Sequence, residues 1–176
     1  MKLRGLVIVC LLAAARAVTA EPSDGSAFIG EWVMADGSAV VAIAQNQHEW
    51  QIRILAVRDP AYTSADDGLQ GGAPRVDLHN PDQALRSRGL GQLLIGEGFT
   101  LDGDSLTGGR IYDPGSGNNY KSTLTLMPDG LLQVRGFIGI SLLGRTMYWY
   151  PLAEYEARMT TMLGVVDDTG ASPSEP

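Results

Sequence analysis

Residues 92–152, QLLIGEGFTLDGDSLTGGRIYDPGSGNNYKSTLTLMPDGLLQVRGFIGISLLGRTMYWYPL, hold five short runs in which apolar and polar residues alternate. Alternation with a period of two puts successive side chains on opposite faces of an extended chain, so each run predicts a half-buried β-strand. Turn-forming glycines and aspartates separate the runs at 102–103, 115–117 and 129–130. Such residues tolerate the backbone angles of tight hairpins. This region therefore predicts five consecutive antiparallel strands.

The preceding part of the chain has the same character. Short β-branched runs predict strands near 31–35, 38–45 and 50–58, the first two joined by an Asp36-Gly37 turn. Three strands and five make eight, the number at which an up-and-down antiparallel sheet can close and lose its exposed edges. The sequence thus predicts an all-β, eight-stranded antiparallel up-and-down barrel over residues 28–151.

Residues 59–89 interrupt the strand pattern with three prolines and several glycines. A connection of this length in a compact domain is either functional or loosely ordered, so it is the place to look for a lid. Within it, residues 77–88 predict one helical turn, with Asn80 as the N-cap and Pro81 at the first helical position.

The chain changes period after the last predicted strand. Apolar residues recur at helical spacing from Tyr155 onward and Gly164 supplies a stop signal, which predicts a short C-terminal helix over 152–164. Residues 165–176 are polar and rich in proline, serine and aspartate, so we expect a disordered tail.

The first twenty residues have the pattern of a secretory signal peptide. Lys2 and Arg4 precede an apolar run at 6–15, and small residues lead up to Ala20, the expected cleavage position. The run is shorter than a membrane span, so we expect no transmembrane anchor. The segment 1–20 predicts export to the periplasm or secretion from the cell.

Removal of that segment makes the protein more acidic. Ten of the thirteen basic side chains remain against all twenty acidic ones, and the single cysteine is lost. An excess of negative charge argues against binding nucleic acid or anionic lipid surfaces. Without cysteine, the folded protein depends on its hydrophobic core rather than on disulfides.

Several segments, in order, resemble a family of bacterial exported proteins known as domain of unknown function 2147 (DUF2147). The resemblance covers about residues 30–150. It implies a lipocalin-like, or calycin-like, barrel in the bacterial envelope, and no established activity or catalytic residue. The segments are GEWVMADG (30–37), HNPDQALRSRGLGQ (79–92), GGRIYDPGSGNNY (108–120), DGLLQVRGFIG (129–139) and LLGRTMYW (142–149).

The glycine-rich stretch 108–122 favours a structural hairpin over a ligand loop. Asp113 can bond its own turn, and Gly117 suits a positive φ. A phosphate loop would need a following helix and a Lys-Ser/Thr pair, but Asn118 and a strand follow. A calcium loop fails too, because Gly115 stands where an oxygen ligand is needed.

Residues for catalysis or metal binding are sparse. His48 and His79 are the only histidines and belong to no metal-binding spacing, so we expect exposed turn histidines, no metal and no cofactor. No nucleophile motif is present, and we expect a protein that is not an enzyme. The remaining route to catalysis is a carboxylate pair drawn from Asp77, Glu97 and Asp113.

The large amphipathic side chains of the late strands are the candidate ligand-binding residues. An arginine among aromatic residues inside an apolar barrel would suit the head group of a small apolar or amphipathic molecule. The sequence leaves open the alternatives that Arg135 forms a surface pair and that the aromatics fill the core. A packed envelope protein that binds other proteins would then result. The candidates are Tyr112, Tyr120, Arg135, Tyr148 and Trp149.

Overall fold

A computed structural model describes residues 24–63, 71–139 and 144–163. Within these ranges the chain forms nine strand segments and one α-helix, together with two single-turn 3₁₀ helices at Ser26–Phe28 and Gln83–Leu85. The strands and helix are β1 (Gly30–Met34), β2 (Ala39–Asn46), β3 (Glu49–Val57), β4 (Leu94–Asp102), β5 (Ser105–Thr107), β6 (Arg110–Asp113), β7 (Asn118–Leu126), β8 (Leu132–Phe137), β9 (Arg145–Pro151) and α1 (Leu152–Leu163).

Two predicted segments lie outside the described residues, namely the signal peptide at 1–20 and the disordered tail at 165–176. Both stay predictions. No helix in the described ranges is long and apolar enough to cross a membrane.

The strands form a closed antiparallel barrel. Strands β1 to β4 pair in chain order, and so do β7 to β9, while β5 and β6 each pair with both β4 and β7. Strand β9 returns to pair with β1 through Val33 opposite Tyr150. Strands β5 and β6 together take the place of the single strand predicted over 104–114, because Gly108 adopts a φ of +77° that breaks the extended chain. The predicted eight-stranded up-and-down barrel is therefore confirmed, with one strand divided in two.

Two strand glycines let large side chains fill the barrel. A Cβ at Gly109 would overlap the ring of Phe99, and one at Gly96 would overlap the side chain of Ile52. The absence of a side chain at these positions therefore makes room for the core. The interior side chains that are 4% exposed or less include Trp32, Val41, Ile43, Trp50, Ile52, Phe99, Leu106, Leu124, Leu132 and Trp149.

One end of the barrel is closed by the start of the described chain. The 3₁₀ helix Ser26–Phe28 places Phe28 in the core with no exposed surface, and the Trp32 indole nitrogen donates to the Phe28 carbonyl oxygen at 3.0 Å. The opposite end carries the β1–β2 turn, the long connection from β3 to β4 and the β6–β7 turn. The two ends therefore differ in construction.

The C-terminal helix predicted over 152–164 is confirmed as Leu152–Leu163. It contacts β1 and β9. The Tyr155 ring lies 6.3 Å from the Tyr150 ring, and the Arg158 guanidinium lies 5.8 Å from the Tyr150 ring centroid. The helix thus packs on the outside of the barrel where the sheet closes.

We call residues 58–93 the β3–β4 loop. Its described parts are irregular, as predicted for 59–89, but they are tied together by bridges between Ala61 and Pro74 and between Val76 and Gly89. The helical turn is Gln83–Leu85, and Asp82 caps it by accepting from the Ala84 amide. The predicted cap at Asn80 is wrong, because the turn begins two residues later than predicted. Asn80 Oδ1 accepts from the Asp82 amide at 2.9 Å, and Asn80 Nδ2 donates into a buried cluster.

Candidate functional site

The candidate site lies on the outer wall of the barrel, where the β3–β4 loop covers β6. Directly opposed residues in an antiparallel pair share one face of the sheet. Ile111 stands opposite Gly96 and Tyr120, on the face that carries the core residue Leu124. Tyr112 is the next residue of β6, so its side chain points away from the interior and toward the loop.

A buried carboxylate holds the loop against this wall. Asp77 is 0% exposed. Its Oδ1 accepts a hydrogen bond from the Tyr112 hydroxyl at 2.5 Å, and its Oδ2 accepts from Asn80 Nδ2 at 2.7 Å. Arg88 donates to Oδ2 through Nε at 2.9 Å and Nη2 at 2.7 Å. We call these four residues the Asp77 cluster. It joins two parts of the loop to one strand.

The cluster shifts the pKa values of two of its members in opposite directions. Burial acts to raise the pKa of Asp77, but the hydrogen bonds from Tyr112, Asn80 and Arg88 together lower it below its ordinary value. Burial, followed by the hydrogen bond to the Asp77 carboxylate, raises the pKa of Tyr112 to about 12. At neutral pH Asp77 is therefore charged and Tyr112 is neutral and donates its proton.

The β6–β7 turn gives the loop a second point of contact. Gly117 has a φ of +72°, and a Cβ at this position would overlap the His79 carbonyl oxygen. The Gly117 amide donates to the Asp113 carbonyl oxygen at 2.8 Å, which closes the turn. The glycine-rich stretch is thus a hairpin, as the sequence predicts, and it also seats the loop.

A pocket of about 470 Å³ opens beside the Asp77 cluster. Its volume lies within the range of small-molecule sites. We call it the outer pocket. Its apolar part comes from the start of β4 and the residue before it, and its polar part comes from the loop, β4, β6 and β7. The lining residues are Arg88, Leu93, Leu94, Ile95, Glu97, Arg110, Tyr112 and Asn119.

The two arginines of the outer pocket differ in what they already bind. Arg88 is held by Asp77 and has 37% of its side chain exposed. Arg110 is exposed, and within the described ranges it forms no hydrogen bond or ion pair through its side chain. Its strand partners are Glu97 on one side and Lys121 on the other. Arg110 is therefore a cation available to a ligand.

The five candidate ligand residues do not come together. Tyr112 lines the outer pocket, whereas Tyr120 and Trp149 belong to the inner face, and Trp149 is only 1% exposed. Arg135 lies on the outer face, contrary to a head-group position inside the barrel, because strand alternation places the buried Val134 inward. A ligand-binding role for these residues stays a prediction.

Two of the five instead take part in contacts on the outer surface. Arg135 Nη1 donates to Thr146 Oγ1 at 3.0 Å. Gln133 Nε2 donates to the Tyr148 hydroxyl at 3.3 Å, and Tyr148 is 40% exposed. These pairs link β8 to β9 from outside the barrel.

The three carboxylates considered for catalysis have separate surroundings. Asp77 is buried in its cluster, and Glu97 is exposed at the edge of the outer pocket. Asp113 binds its own turn, because Oδ1 accepts from the Gly115 amide at 2.9 Å and Oδ2 accepts from the Ser116 hydroxyl at 2.7 Å. Their contacts therefore give Asp77 and Asp113 structural roles.

The histidines match the expectation of exposed turn positions. His48 lies in the β2–β3 turn and His79 in the β3–β4 loop, and both are exposed. Throughout the described part of the chain, no group of three histidine, cysteine, aspartate or glutamate side chains is placed to hold a metal ion.

Sequence patterns assigned no functional role to four residues of the site, which are Asn80, Arg88, Arg110 and Asn119. Asn80 and Arg88 lie in the segment HNPDQALRSRGLGQ, and Arg110 and Asn119 lie in GGRIYDPGSGNNY. Both segments carry the family resemblance, which was the available signal. Spacing alone could not show that these two segments meet in the fold.

A family model described as "Uncharacterized protein conserved in bacteria (DUF2147)" matches residues 30–150. The chain belongs to this family. The match includes every residue of the Asp77 cluster and of the outer pocket. A search of curated proteins finds no match.

One similar solved structure is protein HP1028 from Helicobacter pylori, described as belonging to the lipocalin family. The TM-score is 0.60 at 17% sequence identity, with 76% of this chain and 88% of HP1028 covered. At that identity the likeness concerns the fold. This DUF2147 chain therefore has a lipocalin-like barrel.

Proposed function

We propose that this DUF2147 protein binds a small amphipathic molecule in the outer pocket, beneath the β3–β4 loop. The observation that carries the proposal is the pocket itself, whose lining includes both the apolar residues Leu93 and Ile95 and the free cation Arg110. Small-molecule sites typically combine an apolar lining with a few fixed polar groups. The pocket has both.

The interior of the barrel supports placing the ligand outside it. Trp50, Phe99 and Trp149 are 4% exposed or less and occupy the space between the strands. The β3–β4 loop, by contrast, is anchored by Asp77 and forms one side of the outer pocket through Arg88. A ligand there would need no displacement of the core.

The proposal concerns binding rather than catalysis. A carboxyl group that acts as a general acid must carry a proton near neutral pH. The pKa of Asp77 is lowered instead, since the hydrogen bonds from Tyr112, Asn80 and Arg88 together outweigh the effect of burial. We place the protein in the periplasm or outside the cell on the strength of the signal-peptide pattern at 1–20.

A second candidate is an envelope protein that binds other proteins and holds no small molecule. The packed interior favours it, because a barrel filled by side chains resembles a structural scaffold more than a container. Under this alternative the outer pocket would be a surface depression without a ligand.

The test is a steric block of the outer pocket. Binding of a fluorescent single-chain amphiphile is measured for the wild type, for Asn119→Trp in the pocket lining, and for Thr123→Trp as a matched control. Thr123 lies on the same face of β7 as Asn119, four residues further along, and does not line the pocket. We expect Asn119→Trp to abolish binding and Thr123→Trp to retain it. No binding by the wild type, or equal binding by both variants, would contradict the proposal.

A further inference from the structure

Resting on the proposed function, we infer that the ligand of the outer pocket carries an anionic head group, a carboxylate or a phosphate, and that Arg110 binds it. The inference starts from the charges around Arg110. Arg110 and Lys121 stand directly opposite each other on β6 and β7, and both side chains are exposed. Like charges in direct cross-strand pairs are destabilising.

This pair is notable because positive charge is scarce in the molecule. The chain carries 13 basic against 20 acidic side chains, yet two of its cations face each other at the pocket. Glu97, opposite Arg110 on the other side, forms no ion pair with it in the described structure. An arriving anion would relieve the repulsion between Arg110 and Lys121, which gives the arrangement a physical reason.

Arg88 differs from Arg110 although both line the pocket. The charge of Arg88 is offset by Asp77, whose oxygen accepts from both Nε and Nη2. Arg88 therefore forms a fixed wall. The guanidinium of Arg110 keeps its donors free, and a planar guanidinium binds carboxylate and phosphate oxygens through two parallel hydrogen bonds.

The apolar lining gives the orientation of the ligand. Leu93, just before β4, and Ile95, its second residue, line the pocket at one end, whereas Arg110 lies opposite Glu97, further along the same strand. A molecule with its head group at Arg110 would place its hydrocarbon toward Leu93 and Ile95. The chemical class is therefore a single-chain anionic amphiphile.

The test varies the head group on one twelve-carbon chain. Titration calorimetry below the micelle concentration compares dodecanoate, dodecyl phosphate, dodecanol and dodecylammonium on the full folded protein. We expect the two anions to bind the wild type about tenfold or more tightly than the alcohol, as a charge-assisted hydrogen bond predicts. Arg110→Gln should remove this preference and leave dodecanol binding unchanged.

Two further variants control for charge and geometry. Arg145→Gln removes the same charge from an exposed position on β9 that does not line the pocket, and it should keep the preference for anions. Arg110→Lys keeps the charge but loses the paired donors, so we expect an intermediate preference. Circular dichroism and thermal melting of each variant establish that it is folded.

The outcomes separate this inference from the proposed function. If no dodecyl compound binds the wild type, the proposed function fails. If all four bind alike, or if Arg110→Gln weakens all four alike, the proposed function stands and the anionic head group is wrong. If inorganic phosphate or acetate competes as well as the dodecyl compounds do, the site binds a free ion and the amphiphile is wrong.

Discussion

The interior of the barrel and the outer pocket are built by different physical means. Interior residues such as Phe99 and Trp149 are apolar and pack against strand neighbours, so removal from water stabilises them. The outer site depends on one ionised group, Asp77, and on hydrogen bonds from residues distant in the chain. The first region is stabilised by contact area, and the second by specific polar contacts.

This difference shows where the molecule is sensitive to change. A packed core loses stability in proportion to the volume removed, and it does so at any pH. A buried carboxylate responds to a single hydrogen bond and to protonation. Loss of Asp77 should therefore affect the position of the β3–β4 loop first, while the barrel stays closed.

The largest effect is expected in the interior, for Phe99→Ala. Phe99 is fully buried, and its ring lies over Gly109. Truncation of a buried phenylalanine should lower the free energy of unfolding by about 3–5 kcal/mol. Urea denaturation at pH 7 and pH 4 measures it. The loss should be similar at the two pH values, and a strong pH dependence would contradict our description of the core.

Asp77→Ala comes next and tests the outer site. It leaves the Tyr112 hydroxyl and the Asn80 amide without their carboxylate partner. We expect the free energy of unfolding at pH 7 to fall by about 3 kcal/mol, at the lower end for a broken buried pair because Arg88 is partly exposed. The matched control Asp102→Ala, at an exposed strand end, should change it by less than about 0.5 kcal/mol.

The pH dependence of Asp77→Ala distinguishes the two regions. The pKa of Asp77 is lowered in the folded protein, so its contribution is present above the unfolded value near 3.9 and is lost as the pH falls through the folded value. The difference in free energy of unfolding between the wild type and Asp77→Ala should therefore become smaller in acid. Tyr112 acts at the other extreme, because its pKa is raised to about 12 and its contribution is lost as the pH rises through that value.

Gly117→Val separates backbone strain from loop contact. The valine would combine a positive φ with an overlap of the His79 carbonyl oxygen. Gly130 has a similar φ of +82° and no atom within 4 Å of its Cβ, so Gly130→Val is the control for strain alone. Strain should cost about 1–3 kcal/mol in each. Urea denaturation should show a greater loss in Gly117→Val, and equal losses would mean that Gly117 does not seat the loop.

The barrel could be predicted from the sequence because its strands and turns are encoded by residues that are neighbours in the chain. Alternation and Asp-Gly turns such as Asp36-Gly37 placed all eight strands within a few residues of their observed bounds. The exception was the break at Gly108, where a positive φ divides the strand predicted over 104–114. A glycine pair within a strand pattern indicates a bend, but it does not say whether pairing stops.

The outer site could not be predicted because it depends on contacts between residues that are far apart in the chain. Asp77 and Tyr112 are 35 residues apart, and only the closed barrel and the folded loop bring them into contact. Asn80 shows the same limit: its local contact, Oδ1 accepting from the Asp82 amide, follows from the sequence pattern, but the contact of its Nδ2 with Asp77 in the buried cluster does not. Polar contacts between distant segments need the fold first.

Arg135→Met is expected to have the smallest effect, and it decides between the outer wall and the interior as the place of the ligand. Arg135 is half-buried on the outer face, where Nη1 donates to Thr146 Oγ1. Methionine keeps much of the bulk, so the free energy of unfolding should change by less than about 1 kcal/mol, as for an exposed pair. Amphiphile binding should be unchanged, because Arg135 does not line the outer pocket. If Arg135→Met abolished amphiphile binding while Asn119→Trp retained it, the ligand would lie near β8, and our assignment of the outer pocket would be wrong.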